Sequence, residues 1–250
     1  ARVGVAQHRV VREDAGDVGG AQVAADELGK AGHMIAADNG DLYVQLRKFE
    51  KGYGIVAMRD TDADGKFDEQ ETFADFAGTG LGIHNGYLYA SSDTSVHRFK
   101  MNAGNLLPEA QPELVVSGFP PQNQHETKSL AFDGSGGMYV NIGAPSNACM
   151  EKTRTKGSPG MDPCPLLEQH AGIWKVDPSK TNQHIYTDGN RYSTGTRNVV
   201  ALDWNFQDNQ LYAVQHGRDQ LHQFFPELFS EEESSALPSE EFLRVTEGAD

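Results

Sequence analysis

The chain has 250 residues, 36 acidic against 21 Lys plus Arg, for a net charge of −15. That balance excludes nucleic acid, whose phosphates need a basic surface, and it excludes an anionic membrane surface as partner. No apolar run approaches the roughly 18 residues a spanning helix needs, so no membrane insertion is expected, and the 27 glycines suit a turn-rich all-β chain.

The opening "ARVGVAQHRVVREDAG" has no signal-peptide pattern, so any export signal is expected to have been removed already. The first predicted hairpin is "HMIAADNGDLYVQLR" (33–47): an apolar strand, an Asp/Asn/Gly turn, then an apolar-Tyr-apolar strand. "GIVAMRD" (54–60) reads as a further strand of the same sheet. It runs into "DTDADGKFDEQE" (60–71), which matches the D-x-D-x-D-G-x5-E calcium loop over its full length. Asp60, Asp62 and Asp64 supply carboxylates, Gly65 makes the turn, Lys66 offers its carbonyl, Asp68 acts through water, and Glu71 is bidentate. The plainer alternative is a solvated Asp-rich turn. Strand-like flanks, "GIVAMR" and "TFADF", point to a structural clamp on a hairpin rather than an EF-hand switch.

The same grammar returns in "GLGIHNGYLYASSD" (80–93), "SLAFDGSGGMYVNIG" (129–143) and "ALDWNFQDNQLYAVQHG" (201–217). The repeated tyrosines are Tyr43, Tyr89, Tyr139 and Tyr212, with separations of 46, 50 and 73. "SVHRFKM" (95–101) and "AGIWKVD" (171–177) read as further strands. A hairpin every 40–50 residues is the pattern of a β-propeller. Four blades are legible, and "FLRVTEGAD" reads as the start of another strand. The alternatives are a small closed propeller and the N-terminal part of a larger one; the second is the reading adopted for 1–250.

Before the third hairpin stand His125 and Lys128, a base and a cation at the mouth of a strand. After it, 144–170 is a Gly- and Pro-rich charged loop inserted between strands, with Cys149 and Cys164 fifteen residues apart. A disulfide there stabilises by about 3 kcal/mol in the chain-entropy model and implies a periplasmic or secreted protein; the alternative is two thiols in a reduced compartment. Arg197 and Asn198 precede the fourth hairpin as His125 precedes the third. Strands of a propeller meet at shared loop ends, so the two blades point at one cavity. The fourth hairpin ends in Gln215, His216, Gly217, Arg218 and Asp219, where the glycine permits close backbone approach. An acidic insertion at 226–242 is the best helix candidate, with Ser239 as a cap.

"HETKSLAFD", "YSTGTRNVVALDWN" and "LYAVQHGRDQL" together resemble the soluble quinoprotein sugar dehydrogenases, and "NIGAPSNAC" with "GSPGMDPCP" is similar to the cysteine loop of their sorbosone dehydrogenase-like branch. The resemblance implies a six-bladed propeller that binds pyrroloquinoline quinone (PQQ) and calcium. It implies that His125 takes the substrate hydroxyl proton and that Arg197 and Asn198 contact the quinone oxygens. It implies that the carbonyls of Gly217 and Arg218 hold the cofactor's calcium, although the glucose-oxidising members carry proline at the second position. Lys128 is implied near the cofactor carboxylates. The implied partners are a small sugar, sugar alcohol or aldehyde and an external electron acceptor, such as a cytochrome or a quinone.

Two other function classes stay open on the residues alone. One is a calcium-dependent propeller lactonase using Asn141, Asn147, Asn198 and Asp203. The other is a propeller that only binds partners. Nicotinamide use is excluded because no G-x-G-x-x-G follows a strand, and covalent haem because there is no C-x-x-C-H.

Overall fold

The computed structural model describes residues 2–6, 9–13, 21–49, 51–236 and 240–250, with only the backbone described up to residue 22. It has the four-bladed, all-β propeller arrangement that the repeat predicts. The chain divides into two compact units, Ala1–Ser92 with Val96–Glu113, and Asp93–Ser95 with Leu114–Asp250.

The first unit opens with a sheet the repeat did not disclose: β1 (Arg2–Ala6), β2 (Arg9–Glu13) and β3 (Ala21–Ala25), paired antiparallel in order. The first repeat is a four-stranded meander, β4 (Ala31–Ala36), β5 (Leu42–Leu46), β6 (Ile55–Arg59) and β7 (Glu69–Phe73). Side chains alternate across a strand, and here both faces are covered. Leu42, Val44, Val56 and Met58 join one core cluster, while Tyr43, Ile55 and Ala57 join another with Leu88 and Phe99. That two-sided burial explains why β5 and β6 read as continuous apolar runs. The second repeat contributes β8 (Leu81–His84), β9 (Tyr87–Ser91) and β10 (Ser95–Lys100), again antiparallel neighbours.

In the second unit, β11 (Glu113–Ser117) runs toward the third repeat, β12 (Leu130–Phe132), β13 (Met138–Ile142) and β14 (Gly172–Val176). A short β15 (Gln183–His184) pairs in parallel with β11 and leads through α1 (Ile185–Asp188) to β16 (Asn190–Thr194), the fourth strand of the third blade. The fourth repeat is β17 (Val199–Asn205), β18 (Gln210–Gln215) and, after α2 (Leu221–Phe224) and α3 (Glu231–Ala236), β19 (Glu241–Val245). The segment "FLRVTEGAD" opens in a strand, as the sequence predicts; β19 pairs along β18 from Leu211↔Val245 to Gln215↔Glu241. Among the described residues the acidic insertion holds one short helix, over six residues, and Ser239 lies outside them.

Third and fourth blades pack through aromatic groups. Tyr139 stacks on Trp204 with centroids 5.4 Å apart and meets Tyr192 edge-on at 4.9 Å. Around them Ala131, Ile173, Val199, Leu211 and Val245 complete the core of this unit.

Candidate functional site

In an antiparallel meander, the start of the first strand, the end of the second and the start of the third lie at one end of the sheet. In the third blade that end receives the His125 segment and emits the 144–170 loop. In the fourth it receives Arg197 and Asn198 and emits the 216–240 insertion. Packing of the two blades brings these four segments together, which is the convergence the sequence anticipates.

The link between them is short. His125 Nδ1 lies 2.5 Å from the carbonyl oxygen of Ala144, and the N–H of Ala144 donates to the carbonyl of Arg197 at 2.7 Å. A carbonyl only accepts, so Nδ1 carries the proton and Nε2 keeps its lone pair. Glycine at 143 makes this approach possible: a Cβ there would sit 2.4 Å from His125 O, 2.8 Å from His125 Cβ and 3.3 Å from Arg197 O. His125 itself has φ +54, a left-handed conformation that costs a non-glycine residue about 1–2 kcal/mol. Gln122 holds it there, its Nε2 donating to the carbonyls of Gln124 and His125 at 2.7 and 2.8 Å. Burial and the nearby Arg197 and Arg154 charges pull the imidazole below 6.5, outweighing the Ala144 hydrogen bond and Asp219.

Arg197 is almost enclosed, with its side chain 10% exposed. Its Nε–H donates to Asn147 O at 3.1 Å, one terminal nitrogen to Asn147 Oδ1 at 2.7 Å, and the other to His216 O at 3.2 Å. Asp219 Oδ1 lies 3.5 Å away. Burial pulls the guanidinium down from its ordinary value and Asp219 opposes that; it stays charged. Asp219 also takes two hydrogen bonds from Arg154, at 2.9 and 3.2 Å. Burial pushes its carboxyl up, but the Arg154 hydrogen bond and the Arg154, Arg197 and His125 charges hold it below the usual range. Arg154, from the cysteine loop, was not singled out from the sequence. No spacing marked it, because the loop has no periodicity, and only the fold delivers it.

The cysteine loop is closed by the Cys149–Cys164 disulfide, with Cα atoms 6.1 Å apart. Beneath it lies a cavity of about 250 Å³, bounded by Cys149, Cys164 and Leu166 on one side and by Thr196, Arg197 and Gly217 on another. Thr196 Oγ1 and Asn198 Oδ1 are buried without a hydrogen-bond partner among the described residues. No described hydrogen-bond donor meets the carbonyl oxygens of Gly217 and Arg218, and the Arg218 side chain is exposed.

Lys128 is 0% exposed, its Nζ donates to Glu126 O at 2.9 Å, and burial draws the ammonium down to about 8 against the pull of Asp93 and Glu126. Two residues separate it from His125, and β12 begins two residues after it. Asp203 is exposed on β17, opposite Tyr212, and the Asn141 amide donates to Thr127 O and Val199 O. The four residues of the lactonase set are thus not gathered around one point.

The calcium-loop sequence connects β6 to β7, so its flanks are strands as expected. Gly65 turns at φ +93 and its N–H donates to Asp60 Oδ2 at 3.0 Å. Carboxylate oxygens of Asp60, Asp62 and Asp68 lie within 4.8 Å of one another. Asp64 and Glu71 do not join them. Asp64 Oδ1 accepts from the N–H of Lys66 at 2.8 Å. Strand pairing already begins at Arg59↔Glu69, which fixes Glu71 in the ladder opposite Ala57. A helix after the loop would fold the twelfth residue back; a strand carries it away.

Fold and site define a β-propeller with polar loops converging at one end of adjoining blades. The chain belongs to the TrAA12-like family, whose model matches residues 18–246. No curated protein matches it. The calcium structure of a Trichoderma reesei carbohydrate-active enzyme of family AA12 shares the fold at TM-score 0.66 and 18% identity, over 88% of this chain and 52% of that one. The PQQ domain of Coprinopsis cinerea pyranose dehydrogenase, in its holo form, matches at 0.63 and 16% over 78% and 46%. The PQQ-bound aldose sugar dehydrogenase of Streptomyces coelicolor matches at 0.57 and 16% over 91% and 63%. The chain spans less than two thirds of each.

Proposed function

We propose that this protein is a quinoprotein oxidoreductase that acts on a sugar, sugar alcohol or sugar aldehyde, with PQQ and calcium as cofactors. The observation that carries the reading is His125 with its proton fixed on Nδ1, joined through Ala144 to Arg197. Membership of the TrAA12-like family and the PQQ-bound proteins of the same fold support it.

The residues fit such a ligand. Arg197 offers a charged donor suited to a carbonyl or carboxylate oxygen. The buried Thr196 and Asn198 oxygens are costly unless something meets them. The Gly217 and Arg218 carbonyls are oxygen ligands of the kind calcium takes. When bound, PQQ supplies the two-electron acceptor. His125 Nε2 removes the substrate hydroxyl proton, and its lowered pKa keeps it unprotonated at neutral pH. Arg197 stabilises negative charge that develops beside it. The disulfide fits a periplasmic or secreted protein, and an external carrier takes the electrons. Asp60, Asp62 and Asp68 hold a second, structural calcium.

The test is titration of the purified chain with PQQ and calcium, followed by absorbance and then by dye-coupled oxidation of a sugar panel. Stoichiometric binding with turnover is the expected result, with His125→Ala binding PQQ but not turning over. Absence of binding overturns the reading.

A further inference from the structure

The cation that the proposed function relies on is held by a residue the family resemblance does not supply. Asn147 is 1% exposed. Its backbone oxygen and its Oδ1 together accept from Arg197 Nε and a terminal nitrogen, so one residue fixes the guanidinium plane. Its other bonds run to the 216–220 segment: Nδ2 donates to Asp219 O at 2.7 Å, and Asp219 N–H donates to Oδ1 at 3.2 Å. Arg197 has five N–H groups, and these bonds, with that to His216 O, commit three of them. Two remain, one on each terminal nitrogen.

Asn147 stands two residues before Cys149, at the root of the loop the disulfide closes. Arg154, inside that loop, grips Asp219 from the other side and also reaches Gln124 Oε1 at 2.9 Å, next to His125. The loop is thus tied to the His125 segment, to Arg197 and to the 216–220 segment at once.

The geometry points to Asn147 as the positioning residue of Arg197, held in register by the Cys149–Cys164 disulfide. The orientation of Arg197 rests on the proposed function for its purpose, but not for its test. Water exchange of the Arg197 terminal N–H groups, assigned by their loss in Arg197→Lys, reads the clamp directly by ¹⁵N NMR of the full oxidised chain without cofactor, because Asn147 Oδ1 accepts from a terminal nitrogen. Asn147→Ala is expected to speed that exchange by about tenfold or more, equivalent to about 1.4 kcal/mol. Asn147→Asp keeps both oxygens toward Arg197 but loses the Nδ2 bond to Asp219. It is expected to retain slow exchange, which separates positioning from mere structural support. The Cys149→Ser/Cys164→Ser variant is expected to speed exchange with Asn147 intact, and it carries the test if Asn147→Ala does not fold.

Unchanged exchange in a folded Asn147→Ala overturns the clamp, as does equal acceleration in the Ala and Asp variants. Unchanged exchange in the double serine variant overturns the role of the disulfide. PQQ titration of the same proteins is the second readout: weaker binding in Asn147→Ala and recovery in Asn147→Asp is expected. If the unaltered chain binds no PQQ, the proposed function falls while the exchange result still decides the clamp.

Discussion

His125 Nδ1 donates to the carbonyl of Ala144 at 2.5 Å, and this one bond determines which imidazole nitrogen is free to act. The bond also ties the base to the backbone that carries Arg197, because Ala144 donates onward to the Arg197 carbonyl. A base and a cation on different blades are thereby fixed in one frame.

The His125 imidazole is depressed below 6.5 by burial first and by Arg197 second. Under the proposed chemistry, the acid limb of turnover falls below pH 6.5 rather than at it. His125→Gln is expected to lower turnover by roughly 10²–10⁴-fold, the usual contribution of a positioned base. The stability sign runs the same way. The folded state prefers the neutral ring, so its contribution is complete above 6.5 and is lost as pH falls toward the lower folded value. Turnover profiles and urea titrations between pH 5 and 8 check both; an acid limb at or above 6.5 contradicts the first.

Asp133 anchors the turn of the third hairpin. Its carboxylate accepts from the N–H groups of Ser135 and Gly137, from Tyr139 Oη at 2.9 Å and from Lys175 Nζ at 2.8 Å. Burial raises its pKa, but Lys175 and these donors outweigh it and hold it far below 3.8. Its contribution is therefore full above 3.8 and is lost as pH falls through the acid range. Asp133→Ala leaves a buried hydroxyl and a half-buried ammonium unmatched and is expected to cost about 3 kcal/mol in urea unfolding at pH 7. The difference from the unaltered protein should shrink in acid.

The repeat was legible because each hairpin carries its own turn chemistry and a tyrosine: Tyr43, Tyr89 and Tyr139 are enclosed, while Tyr212 is only partly buried. The pairing of His125 with Arg197 was legible for the same reason, since corresponding positions of successive meanders share an end. The sheet at residues 2–25 falls outside that grammar. Glu71 and Arg154 mark the limit of motif reading. Glu71 fits the calcium spacing, yet the strand after the loop removes it; Arg154 fits no spacing, yet the loop delivers it to Asp219. Spacing reports on local geometry only while the flanking element stays the one the motif assumes.

The calcium loop gives a corresponding test. Calcium binding to the folded state is expected to raise thermal stability, by about 2.7 kcal/mol at a hundredfold excess over the dissociation constant. Asp62→Asn should abolish that dependence, because Asp62 belongs to the carboxylate cluster. Glu71→Gln should leave it in place, because the strand holds Glu71 opposite Ala57. Thermal unfolding with calcium and with a chelator separates the two; loss of the dependence in Glu71→Gln would restore the full twelve-residue loop.

Reduction of Cys149–Cys164 should act locally. The loop between them exposes Lys152 and Lys156, and opening it restores chain entropy worth about 3 kcal/mol. Limited trypsin digestion is expected to cut within 152–156 much faster after reduction, with the blades still intact. Equal cleavage rates before and after would mean that the polar contacts of Asn147 and Arg154 hold the loop without the disulfide.

Gly143 offers a change that tests the frame by sterics alone. Its backbone does not need the left-handed region, since it is absent from the positive-φ residues; what it needs is space. A methyl group there would meet His125 O at 2.4 Å and His125 Cβ at 2.8 Å. The first contact is backbone and cannot rotate away. Overpacking of this kind costs about 1–3 kcal/mol, and relief requires His125, Ala144 or Arg197 to move. Gly143→Ala is therefore expected to remain folded but to lose the Nδ1 bond to Ala144. The test is the imidazole's titration by NMR: without that bond, which raises the His125 pKa, the ring should titrate lower than in the unaltered chain. A titration unchanged in Gly143→Ala would mean that the strand end of β13 yields instead and that the base is not held by this contact.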